Sequence, residues 1–265
     1  MTQIATEYSH NRTAPDGNRS RYGWLLGREI TILISGFMLY RVVRLVVKDE
    51  IDRAFVNSRT VVDWERALGI FNEVNFQSTV LGSEQIVWGL NRYYFLAHFI
   101  GSVAFLTWLY VRHFDDYGRV RRVMFGTTFT ALAVHVLFPL APPRWFPDMG
   151  FVDTLQTYGP KIYDSEAIAS TANQIAAMPS LHVAWALIGA WAIIKASSSR
   201  WRWAAIAHPL VMTAAVVLTA NHWWLDAFAA AALVLLVICA DLPVQRRLEL
   251  RKSRRRSSKA TTTSA

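Results

Sequence analysis

Apolar residues gather along this chain into six blocks, at about 24–47, 86–110, 123–140, 179–195, 203–220 and 222–240, with polar or basic segments between them. A helix rises about 1.5 Å per residue, so roughly 20 apolar residues match a hydrocarbon layer of about 30 Å. The stretch from Lys48 to Gly82 is different. There Trp64, Leu68, Phe71 and Val74 recur at helical spacing among acidic and basic residues. That pattern is too polar to span and predicts one or two interfacial helices lying on the membrane or capping a bundle. The expected fold is all-α: a polytopic membrane protein with a six-transmembrane-helix bundle and an amphipathic interfacial segment between helices 1 and 2. Residues 1–22 are polar, lack the apolar core of a cleavable signal peptide and are expected to form a disordered cytoplasmic tail. Residues 23–241 form the membrane domain, and 242–265 a basic cytoplasmic tail, expected to be disordered near anionic headgroups.

Composition agrees with a membrane setting. The chain is 53% hydrophobic, and its 11 Trp and 9 Tyr suit belts at two lipid–water interfaces. Its one cysteine, Cys239, excludes an intramolecular disulfide. The net charge of +9 sits in short clusters between apolar blocks, with no nucleic-acid module, so no nucleic-acid partner is expected. With six spans, Arg12, Arg19, Arg21 and Arg28 fall on the same side as Arg112, Arg119, Arg121 and Arg122. So do Lys195, Arg200, Arg202 and the basic C-terminal tail. The positive-inside rule then places both termini in the cytoplasm. Arg144, His182 and His222 come out together near the extracytoplasmic face of the cell membrane.

Those three residues carry the candidate chemistry. Met178-Pro179-Ser180-Leu181-His182 and Asn221-His222-Trp223-Trp224-Leu225-Asp226 each open an apolar block. His222 and Asp226 are four apart and share a helix face, so the carboxylate can fix one imidazole nitrogen and leave the other to attack. His182 supplies acid/base chemistry, and Arg144, after Ala141-Pro142-Pro143, a guanidinium suited to phosphate. A metal site would have a loose ligand set, and Ser180 lacks the G-x-S-x-G elbow of a serine hydrolase. Phosphoryl transfer through a phosphohistidine fits better. Ser180 and backbone N–H groups at the helix start could add phosphate contacts. No cofactor or metal is expected. Asn221 reads as the N-cap of the last block, and Trp145, Trp223 and Trp224 as interfacial anchors. His98 reads as a packing histidine, His208-Pro209 as a kink, and Phe151-Val152-Asp153 as a segment docked on the bundle.

In this order the residues resemble the type 2 phosphatidic acid phosphatase (PAP2) superfamily, and within it the branch of inositol phosphorylceramide synthase-like actinobacterial membrane proteins. Pro179-Ser180-Leu181-His182 is similar to the family's Pro-Ser-Gly-His element, with Leu181 for Gly. His222 and Asp226 match the core of its third element, and Ala141-Pro142-Pro143-Arg144 its first. The resemblance extends over roughly 24–240 and implies a metal-independent site. In it His222 is the nucleophile, Asp226 its orienter, His182 the acid/base and Arg144 the phosphate clamp. It also implies a lipid phosphate or polyprenyl phosphate substrate drawn from the surrounding membrane lipids. Two family cations are missing. The arginine about six residues before His222 falls at Val216, and the lysine upstream of Arg144 falls among Val136, Leu137 and Phe138. Arg41, Arg44 and Lys161 are the candidate headgroup-binding replacements. Phosphatase and phosphotransferase outcomes both stay open, as does a non-catalytic anion or lipid transporter or scaffold.

Overall fold

A computed structural model describes residues 27–32, 34–36, 38–42, 45, 49–159 and 174–263, with side chains as far as 251 and at 253. Two units divide the chain, Met1–Val42 and Val43–Ala265. In the first, the described residues between 27 and 42 are helical (α1) and expose Ile30, Ile34, Met38 and Val42. Arg44 and Lys161 lie outside the described residues, and Arg41 is a half-buried residue of α1.

The second unit is helical. It runs through α2 (Ile51–Ala67), α3 (Glu73–Leu81), α4 (Glu84–Arg112), α5 (Phe114–Leu137), α6 (Thr154–Tyr158), α7 (Leu181–Ala196), α8 (Ala207–Leu218) and α9 (Trp224–Thr263). Among the described residues no strand forms beyond a single bridge between Leu140 and Ala176. Among the described residues, three helices are long and apolar enough to cross a membrane: α4, the stretch Arg200–Leu218 that joins a 3-10 turn to α8, and α9 as far as Arg251. α7 is apolar but shorter, at 16 residues. α5 begins with Asp115, Asp116, Arg119, Arg121 and Arg122, so the basic loop expected before the third block is folded into its helix. The two acids in its first turn complement the helix dipole. Arg119 and Arg122 grip Asp241 of α9 at 3.0 and 2.8 Å.

α7 is the central post. It packs against α8, α9, α5 and α4, burying Val183, Ala184, Ala186, Ile188, Gly189, Ala190 and Ala192. Small side chains allow such close approach on several faces. Gly126 of α5 makes the same allowance for α9, since a Cβ there would lie 3.0 Å from Val237 Cγ1.

The C-terminal segment departs from expectation, because α9 continues as helix through the basic tail to Thr263. Residues 244–250 are helix formers such as Gln, Arg, Leu and Glu. Gln245 donates to Glu249 at 2.7 Å and accepts from Arg122 at 2.9 Å, which ties the start of the extension to α5.

A second apolar cluster forms beneath α2, around Phe146, Phe151, Leu140, Ala220 and Trp223. Trp223 is fully buried there, with its indole N–H on Ala141 O at 3.0 Å. It is a core residue and not the interfacial anchor its position suggested, because Phe146 and Phe151 cover its ring edgewise. Trp145 stacks on Phe55, and Trp224 packs on Phe76 while donating to Asn72 Oδ1. Phe151-Val152-Asp153 does dock: Phe151 is buried, and Val152 exchanges both backbone hydrogen bonds with the Gln77 side chain.

Candidate active site

The Pro-Pro-Arg turn meets its own two proline carbonyls, from Trp145 N at 3.1 Å and Phe146 N at 2.9 Å, but the segment leading into it is irregular and leaves carbonyls to be met from outside. α2 meets them. Arg53 donates to Leu137 O, Asn57 to Pro139 O at 2.8 Å, and Ser58 to Ala141 O at 3.0 Å. Arg144 N then donates to Ala220 O at 2.9 Å, which stitches this turn to the end of α8.

α8 ends in a Schellman motif. Ala220 N donates to Val217 O, and Asn221 N to Val216 O. The left-handed position is taken by Ala220, at φ 53°, where glycine is usual. Val216 is buried and its carbonyl also accepts from His222 N, so the position that would carry a family arginine serves here as core and as backbone anchor. Asn221 is not the N-cap of the last helix, which starts three residues later at Trp224. It is spent on Arg144 instead: its Oδ1 accepts from Arg144 Nη1 at 2.6 Å, and its Nδ2 donates to Thr219 Oγ1 at 2.7 Å.

The cap of α9 comes from Asp226, at the third helical position. Its Oδ2 reaches back to Trp223 N at 2.9 Å and also meets His222 Nδ1 at 3.1 Å. Ala177 O lies 2.9 Å from the same Nδ1. Two acceptors on one nitrogen put the proton on Nδ1 and leave the Nε2 lone pair free. Asp226 is wholly buried and His222 nearly so.

His182 stands with its ring centroid 5.6 Å from that of His222. It is sandwiched between Tyr94 and His98 of α4, each 4.1 Å away centroid to centroid. α4 makes a π-helical turn at Ala97–Gly101, and His98 lies in it, also against Trp185. π turns of this kind often mark functional sites. His98, read from sequence as packing, therefore packs on a site residue. His135 of α5 comes in below, with Nε2 3.3 Å from Pro179 O.

Arg144 is buried and already engaged. Besides Asn221, it donates to Gln174 Oε1 at 3.2 Å and pairs with Asp153 Oδ2 at 3.6 Å. Ser180 caps α7, its hydroxyl accepting from Val183 N at 3.4 Å while its own N–H donates to Asp226 O at 3.1 Å. That N–H is therefore occupied by the start of α9 and not open to an anion. The structure thus brings His182, His222, Asp226, Ser180 and Arg144 onto one connected set of loops and helix starts, and Arg41 belongs to the other unit. Among the described residues, no three His, Cys, Asp or Glu side chains group as a metal site.

Sequence reasoning missed Glu65 and Glu73. Both are fully buried, and they accept from the first turn of α9: Leu225 N to Glu65 Oε1 at 2.8 Å, and Trp224 N to Glu73 Oε1 at 3.3 Å. A signal was present for Glu65. Ala54, Ser58, Val61 and Glu65 follow one another at steps of four, three and four, so this acid lies on the buried stripe of α2.

No curated protein and no solved structure matches the chain. The PAP2 superfamily matches residues 59–240, a span that opens in α2 and includes all five of these side chains. The chain therefore belongs to the PAP2 superfamily, whose members generally catalyse phosphoryl transfer or hydrolysis.

Proposed function

We propose that the protein is a membrane-embedded phosphatase or phosphotransferase acting on a phosphorylated lipid, through a phosphohistidine on His222. The observation that carries this reading is the double acceptor on His222 Nδ1, which fixes the tautomer and leaves Nε2 as a nucleophile. In the first step Nε2 attacks phosphorus, an N–P bond forms, and the P–O bond to the leaving group breaks. His182 gives its proton to the departing oxygen. In the second step water or another hydroxyl attacks the phosphohistidine, His182 takes the proton, and the N–P bond breaks. Asp226 stabilises the charge that develops on His222, and Arg144 meets the equatorial oxygens once phosphate displaces Asp153. No other group is needed to balance either step.

Burial supports transfer as a second reading. His222 is 5% exposed and Arg144 6%, so bulk water reaches the intermediate poorly, and a bound sugar, inositol or lipid hydroxyl would compete well with it. This is the inositol phosphorylceramide synthase-like outcome.

The proposed setting is the cell membrane, with six spans, both termini cytoplasmic and the site extracytoplasmic. The one-sided distribution of basic clusters supports that orientation. In this setting α2 and α3 form the interfacial cap.

The test is release of phosphate, and formation of new lipid products, from a panel of lipid and polyprenyl phosphates with and without hydroxyl acceptors. The His222→Ala protein should fold and lose about 10⁴-fold or more in turnover. Vanadate, which mimics the pentacoordinate phosphate, should inhibit. A transporter or scaffold would keep its function in His222→Ala and ignore vanadate.

A further inference from the structure

Glu65 and Glu73 come from two helices that sequence reasoning laid on the membrane or set as a cap on the bundle, yet both side chains end inside the protein at the first turn of α9. Their hydrogen bonds are unequal. Glu73 is filled: Oε1 accepts from Trp224 N and Oε2 from Asn72 N at 2.9 Å. Glu65 is half-filled: Oε1 accepts from Leu225 N, while buried Oε2 accepts from nothing among the described residues. The two carboxyl groups receive the N–H groups of adjacent residues, Leu225 and Trp224, and lie within hydrogen-bonding reach of one another. Two carboxylates so close and so dry cannot both be ionised. Since both Glu73 oxygens already receive N–H groups, the oxygen left to carry a proton is Glu65 Oε2, and it donates to Glu73.

We infer that Glu65 and Glu73 are a proton-sharing carboxyl pair that positions the nucleophile, with neutral Glu65 donating to ionised Glu73 and both holding the start of the helix that carries Asp226. The pair acts one step removed from the chemistry. Trp224 and Leu225 immediately precede Asp226, whose carboxylate sets the His222 ring, so any slip of that turn moves the nucleophile. The charged neighbours facing the pair are Asp226 on α9 and, through it, His222; the negative charge of Asp226 adds to that of Glu73 in favouring a proton on Glu65. Burial works in the same direction.

The inference rests on the phosphohistidine reading for its kinetic consequence, but not for its chemical one, so the test has two arms. In the first, the infrared difference spectrum of wild type minus Glu65→Gln, recorded in detergent at neutral pH, should contain the carbonyl stretch of a protonated carboxylic acid shielded from water. Wild type minus Glu73→Gln should show perturbation of an ionised carboxylate. Finding only ionised carboxylate bands in both spectra would overturn the inference whatever the enzyme does.

The second arm uses the asymmetry of the hydrogen bonds. A glutamine at 65 reproduces both bonds, with its carbonyl on Leu225 N and its amide donating to Glu73. A glutamine at 73 must turn an NH₂ onto Trp224 N or Asn72 N. Glu65→Gln should therefore keep most of the turnover, while Glu73→Gln and Glu65→Ala should each lose about tenfold or more in kcat with KM held. The reverse order, or equal losses in the two glutamine variants, would refute the assignment of the proton. If no lipid phosphate is turned over by any variant, wild type included, the phosphohistidine reading fails while the infrared arm still decides the carboxyl pair.

Discussion

Ala220 occupies the left-handed region at φ 53°, in the turn that presents Asn221 and His222. A residue with a Cβ there costs roughly 1 kcal/mol relative to glycine, so Ala220→Gly should raise thermal stability in detergent by about that amount. A turnover that falls as stability rises would show that the strain steadies the nucleophile. The His182 ring depends on its aromatic neighbours. His98→Ala should lower kcat about tenfold by freeing the ring, and His98→Phe should restore most of that loss, in a KM-against-kcat comparison. Glu65 ties stability to pH. Burial and the adjacent Glu73 carboxylate hold its carboxyl well above the usual range, so the folded protein keeps a proton that the unfolded chain gives up near pH ~4.3. Its contribution is intact below that pH and declines as pH rises into the alkaline range, by up to about 1.4 kcal/mol per unit. Glu65→Gln should flatten this decline in melting curves taken across pH.

Among elements, the last five apolar blocks were legible as helices because the length of each apolar run marks them, and α2 and α3 were legible as amphipathic. Their task was not. A polar stripe reads as a wet face unless the register is followed through Ala54, Ser58, Val61 and Glu65, which places an acid and a serine inside. The π turn around His98 and the role of Asn221 were hidden for a related reason. Each depends on which partner a distant segment supplies, here His182 and Arg144, and no local pattern records that. The motif residues themselves were legible because helix starts favour them chemically, as the cap formed by Asp226 illustrates. The serine of α2 offers a clean test of the scaffold. Ser58→Ala removes a buried hydroxyl that accepts from Ala141 N and shares its one hydrogen between Ala54 O and Ala141 O, and should cost about 1–3 kcal/mol of stability. Its turnover should fall with the loosening of the Arg144 turn, without change at His222.

At the scale of the whole molecule, the predicted orientation has a direct check. Cysteines placed singly at Ser253 and at Asp148, in a Cys239→Ser background, should react with a membrane-impermeant thiol reagent from opposite sides: Asp148 in intact cells, Ser253 only after permeabilisation. Labelling of both positions from one side would remove the six-span arrangement. The bond from Leu225 N to Glu65 closes a loop of 160 residues, between the first helix of this unit and its last. Helices enter a bilayer in the order they are synthesised, so α2 and α3 wait with their acids unoccupied until α9 emerges. On the proposed mechanism, a ribosome stalled anywhere before that point would leave a nascent chain with no positioned nucleophile, and therefore one that could not attack the lipids around it.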